Sequence, residues 1–249
     1  MPPASTEELT RQSGFIFEGA VRRVGAVTSA GFEATAATAV VQVEKVLKGP
    51  EMLAQFAGRE ITVVLAEHER VSAGTHAVFF TQGLHYGEGL VVREIGRHEA
   101  AAAEVEGAVR EAMEHAHDDE ILERMRHARL IVAGTVTHVA PSEQRARVGT
   151  EHDPDWWVCT IEIESVLKGK LQVEKGKKAK EHLEFFFAHS KDVMWYRSPK
   201  FEVGDAGVFI LHEADFRGRP TPGPATINPL DFQPLSLLEH IRALLRGLE

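Results

Sequence analysis

Apolar and polar positions alternate with a two-residue period through Phe15, Phe17, Gly19 and Val21, as in a strand with one buried face. The parity slips before Val24, which predicts a bulge. Val41 and Val43 lead into Val46-Leu47-Lys48-Gly49, a second strand closed by a turn signal and followed by Pro50. Ile61–Leu65 and Ala77–Phe80 are short, nearly unbroken apolar runs, and Leu90–Ile95 reads as a fifth strand. The period then becomes helical. Residues 98–116 are rich in Ala and Glu, with Val105, Val109, Ala112, Met113 and Ala116 on one face.

The same series recurs further along the chain. Leu130, Val132, Gly134, Val136 and Val139 repeat Phe15, Phe17, Gly19, Val21 and Val24 at an offset of 115, and Ile161-Glu-Ile-Glu-Ser-Val-Leu-Lys-Gly169 repeats Val41–Gly49 at 120. The run 180–187 follows 58–65 at 122, and Gly204, Val208 and Phe209 follow Gly74, Val78 and Phe79 at 130. Growing offsets in a fixed order mean longer loops in the second copy. Its fifth strand, near 225–230, is interrupted by Pro229. Leu237, Leu238, Ile241, Leu244, Leu245 and Leu248 form its closing helix, with Ser236 and Glu239 as a capping box. Short amphipathic helices are expected before each first strand, 6–12 and 119–127, with Thr6 and Asp118 or Asp119 as N-caps. The expected organisation is mainly β with helices, an internal duplication of a five-stranded barrel in which each copy is followed by an amphipathic helix. The copies are residues 1–117 and 118–249.

The G-x-V first strand, the V-x-V-x-x-V-L-K-G second strand and the Gly-x-x-x-Val-Phe fourth strand resemble the tissue-inhibitor-of-metalloproteinase-like, or netrin-module-like, OB fold, a pattern also present in many bacterial proteins of unassigned function. The resemblance spans residues 14–95 and 129–211. It implies tandem OB-like barrels. Inhibitors of that family chelate a protease zinc through an N-terminal cysteine. This chain begins Met1-Pro2 and its single cysteine is the internal Cys159, so no functional residue is carried over.

Composition narrows the function classes. The 249 residues are 43% hydrophobic, enough for packed cores. No apolar run is long enough for a spanning helix and no signal peptide is visible, so with one cysteine the expected location is the cytoplasm. The charge of −9 divides as −6 on residues 1–117 and −3 on 118–249, a field that repels phosphate.

Catalytic chemistry finds no motif. There is no G-x-S-x-G elbow and no phosphate-binding glycine loop, and Cys159 sits inside a predicted strand. His115, His117 and Asp119 are the densest metal-like cluster, but helical residues two apart diverge, and no H-E-x-x-H spacing occurs among the 13 histidines. The expectation is a non-enzyme without metal or cofactor.

The second copy holds all three tryptophans and a lysine-rich loop. Lys168, Lys170, Lys175, Lys177, Lys178 and Lys180 lie near Trp156, Trp157, Trp195, Tyr196 and Arg197. Basic loops beside aromatics are the ingredients of an OB-type single-strand nucleic-acid site. Large aromatics beside Arg in a polar insertion equally make a protein hot spot, and the acidic background favours a protein partner. The expected function is therefore a protein-binding or scaffold module, with single-stranded nucleic-acid binding as the alternative. The expected contacts are Trp156 and Trp157 on one turn, the insertion 191–200 with Trp195, Tyr196 and Arg197, and Lys175, Lys177, Lys178 and Lys180. The stripe Leu237, Ile241, Leu244 and Leu248 either packs on its own barrel or makes a homodimer contact.

Overall fold

The computed structural model describes residues 4–66, 71–87, 89–99, 102–142, 154–171, 182–213, 215–216, 219–221 and 223–248. The chain divides into two compact units, residues 1–117 and 118–249.

The first unit begins with helix α1 (Thr6–Gln12) and strands β1 (Phe15–Val24) and β2 (Thr38–Lys48), then a 3-10 turn (Glu51–Phe56). Strands β3 (Glu60–Val64), β4 (His76–Tyr86) and β5 (Leu90–His98) follow, and then helix α2 (Ala102–His127). The strands close a barrel in the order β1-β2-β3-β5-β4, antiparallel except for the parallel β3/β5 pair. Phe15, Phe17, Val41, Val43, Ile61, Val63, Phe79 and Val92 fill the interior, with Leu53 and Phe56 of the 3-10 turn packed on them. Outside the barrel, Ile16, Val78 and Phe80 pack with Leu9 of α1 and with Val105 and Val109 of α2. Strand β1 is thus buried on both faces, because helices cover the side that alternation alone would assign to water.

The second unit continues from the end of α2 into β6 (Leu130–Pro141), β7 (Trp156–Lys168), β8 (His182–Ala188) and β9 (Ala206–Leu211). A two-stranded ribbon, β10 (Asp215–Phe216) and β11 (Arg219–Pro220), precedes β12 (Ala225–Thr226), β13 (Phe232–Pro234) and helix α3 (Leu238–Arg246). The sheet order is β12-β8-β7-β6-β9-β13, so both edge strands come from the single segment 225–234. The break between them is the turn that Pro229 marks in the sequence, and a buried carboxylate holds it. Asp231 is fully buried and accepts from Ile227 N and Asn228 N, both at 2.8 Å, from Arg124 Nε at 2.8 Å and Nη2 at 2.9 Å, and from His212 Nε2 at 3.1 Å. Burial raises its carboxyl pKa, yet hydrogen bonds from His212 and Arg124 hold it below the ordinary value. Phe185, Phe187, Phe201, Phe209 and the half-buried Phe232 fill the inner face. Ile131, Ala133, Val208 and Ile210 on the outer face pack with Ile121 and Met125 of α2 and with Ile241 of α3.

Registers coincide between the units. The β1/β2 ladder shifts between Ile16 and Phe17, between Glu18 and Gly19, and between Val21 and Arg23, and β6/β7 shifts between Ile131 and Val132, between Ala133 and Gly134, and between Val136 and His138. At the middle shift, a Cβ on Gly19 would lie 2.5 Å from Gln42 O, and one on Gly134 would lie 2.3 Å from Glu162 O. The lysine of each V-L-K-G turn closes a helix end. Lys48 Nζ donates to Thr10 O of α1 at 2.7 Å, and Lys168 Nζ donates to Met125 O and Arg126 O of α2 at 2.7 and 2.9 Å.

Several local expectations are corrected. Residues 102–127 form one 26-residue helix, so Asp118 and Asp119 are interior rather than N-caps, and His115 and His117 lie mid-helix. The N-cap of α1 is Ser5, whose hydroxyl accepts from Glu8 N, rather than Thr6. Ser236 makes no capping box, because a 3-10 turn over Leu235–Leu237 leads directly into α3. The leucine stripe packs on its own unit. Ile241 is fully buried, and Leu237, Leu244 and Leu248 are half-buried in the same cluster.

Candidate recognition surface

Trp156 and Trp157 are the first two residues of β7 rather than a turn, so strand alternation sends their rings to opposite faces. Trp156 is buried, 6.0 Å from Trp195 between ring centroids, in a cluster with Ala188, Ala225, Phe186 and Ile227. Trp157 is half-buried against the inner cluster. Its ring stacks on His189 at 4.2 Å, and its Nε1 donates to Asp155 Oδ2 at 3.4 Å.

Trp195 is the anchor of an ordered turn. Asp192 O accepts from Trp195 N at 2.9 Å and from Tyr196 N at 2.8 Å, while Asp192 Oδ1 accepts from Met194 N at 2.8 Å. Ser198 Oγ donates to Ile227 O at 3.0 Å, tying the turn to the segment after β12. Lys200 folds its ammonium back onto Trp195 O at 2.8 Å and Ser198 O at 2.9 Å, and the accompanying desolvation lowers its pKa. With Trp195 pointing inward, the next side chains point out. Val193 is 72% exposed, Met194 50% and Tyr196 61%. Lys191 and Arg197 are exposed on either side.

The expected contact residues therefore separate. Tyr196 and Arg197 face solvent, Trp157 is half-covered, and Trp156 and Trp195 are buried supports, while Lys175, Lys177, Lys178 and Lys180 lie outside the described residues. Val193 and Met194, the apolar tip, and Asp192, Ser198 and Lys200, its frame, are not among the residues that composition singles out. An Asp whose side chain takes the N–H two residues on is a local signal that could have located the frame.

Other chemistry is sparse. Cys159 is fully buried, and burial together with Asp205 pushes its thiol up to about 12, leaving it unreactive at neutral pH. Among the described residues no three His, Cys, Asp or Glu side chains converge as a metal set, and no helix is long and apolar enough to cross a membrane. A groove of about 440 Å³ lies between the end of β7 and α3, lined by Arg126, Val166, Lys168, Leu245 and Leu248. Its lysine is occupied in capping α2. No protein-family model matches the chain, and no curated protein matches it.

Proposed function

We propose that the chain is a non-enzymatic protein-binding or scaffold module of the cytoplasm, built from two OB-like barrels of the netrin-module-like kind, with recognition centred on residues 118–249. Support for the duplication comes from the coincident register shifts and from the shared lysine caps of the two units. One observation carries the functional reading: the exposed Val193, Met194 and Tyr196 stand on a turn that is internally hydrogen-bonded and anchored by Trp195. Exposed apolar side chains on an ordered frame bind with little ordering penalty, and Tyr, Met and Arg are enriched where proteins meet.

The burial of Trp156 and Trp195 weakens the single-strand nucleic-acid alternative, since bases stack on exposed rings. The test is quantitative affinity purification from host cells with the full chain and its Met194→Ala/Tyr196→Ala variant. The expected result is a specific protein enriched by the native chain and lost with the variant, while circular dichroism and melting stay unchanged. A folded variant that retains the partner removes this surface from the reading. A fluorescence titration with single-stranded DNA and RNA at low salt is expected to show no binding.

A further inference from the structure

The segment joining β8 to β9, residues 189–205, is longer than the one joining β3 to β4 in the first unit, residues 65–75, and its extra length includes the turn. Val193, Met194 and Tyr196 belong to none of the packed clusters of the second unit, so the turn's outward side chains are not part of its core. Two further charges are engaged within the segment: the half-buried Asp192 caps Met194 N, and the exposed Lys200 places its ammonium on two carbonyls. The outward charges of the turn are Lys191 and Arg197, neither paired with a carboxylate among the described residues, flanking three exposed apolar side chains. A positive rim around an apolar knob stands out on a chain of net charge −9.

Resting on the protein-binding reading, we propose that residues 191–197 are a preformed plug, and that the partner is a protein presenting an apolar pocket rimmed by Asp and Glu. Val193, Met194 and Tyr196 fill the pocket. Lys191 and Arg197 meet the acidic rim, steering the encounter and fixing orientation. Val193 and Met194 at the tip carry no donor for a phosphate, which favours an apolar protein pocket over a nucleic-acid contact. Asp192, Trp195, Ser198 and Lys200 are positioning residues, acting through the shape of the turn.

The test places the photo-crosslinker p-benzoyl-phenylalanine at Tyr196 in the full chain, with a second protein carrying it at Met113, an exposed position on α2, as control. Crosslinking is carried out in host extract from about 0.05 to about 0.5 M salt, a range over which surface charges become screened. The expected result is one crosslinked polypeptide, absent from the Met113 control, whose yield falls several-fold at high salt. The yield should fall several-fold again with Arg197→Glu or Lys191→Glu, and the crosslinked peptide should map beside Asp or Glu. A protein crosslink insensitive to salt and to charge reversal overturns the acidic-pocket assignment while leaving protein binding standing. Crosslinks to lipid or RNA, or none above the control, overturn both. Equal melting midpoints for the charge-reversal variants and the native chain exclude unfolding as the cause of any loss.

Discussion

Gly19 and Gly134 are fixed by contact rather than by backbone conformation. Each sits at a register shift where the facing carbonyl comes so close that a methyl group cannot fit. Because the neighbour is backbone, relief requires moving a strand, so Gly19→Ala and Gly134→Ala should each destabilise by about 2–3 kcal/mol, read by chemical denaturation. Thr226 presents the opposite case. It is fully buried opposite Phe187 in the β12/β8 register, and its Oγ1 has no hydrogen-bond partner among the described residues. Replacing an unsatisfied hydroxyl by a methyl of the same shape removes a desolvation penalty. Thr226→Val should therefore stabilise by about 1 kcal/mol, visible as a rise in melting midpoint. A fall would mean that the hydroxyl is satisfied by bound water.

At the scale of elements, the lysine of V-L-K-G makes the same kind of contact in both units. Lys48 and Lys168 each satisfy carbonyls that a helix leaves open at its C-terminus, and each joins that helix to the strand pair beside it. Lys168→Met keeps the aliphatic stem and removes the donor. It should destabilise the second unit by about 1–2 kcal/mol, with Lys168→Arg recovering part of the loss, measured by thermal melts. These elements were legible in the sequence because strand period, turn chemistry and repetition agree at Phe15–Val21, Val41–Gly49 and their later counterparts. Where local signals compete with tertiary packing, the sequence does not decide the outcome. The continuity of α2 through Asp118 and Asp119 was hidden because N-cap residue types also occur inside helices, where nothing requires them to cap. The split of the last strand was signalled by Pro229, but the role of Asp231 in holding it was not, since its partners Arg124 and His212 are distant in sequence. The candidate site divided for a similar reason. Composition picked out Trp156, Trp157, Trp195 and Tyr196 together, but only packing decides which aromatic becomes an anchor and which a contact.

For the molecule as a whole, the uneven distribution of tryptophan gives each unit its own readout. All three tryptophans lie in residues 118–249, so indole fluorescence reports the second unit alone, while calorimetry reports both. Asp231 belongs to that unit, and its carboxyl is held below the ordinary value of 3.8 by His212 and Arg124 against the opposing effect of burial. A pKa lower in the folded than in the unfolded chain means that the unfolded state takes up its proton first on acidification. The stabilisation is then complete above the ordinary aspartate value and is lost as pH falls below it toward the depressed folded pKa. Acidification below about pH 4 should therefore lower the fluorescence-detected melting midpoint. Asp231→Asn leaves Arg124 beside a neutral amide and spoils the cap on Ile227 N and Asn228 N. Breaking a buried pair in this way costs about 3–5 kcal/mol, so the variant should melt earlier by fluorescence at neutral pH. Its midpoint should also lose the part of the acid dependence that Asp231 contributes. In calorimetry the heat absorbed by the first unit should stay at its original temperature, because the barrel of residues 15–98 contains no part of the Asp231 network. A uniform shift of the whole transition would instead show that the two cores unfold as one cooperative body, and would move the effect of Asp231 from its unit to the entire chain.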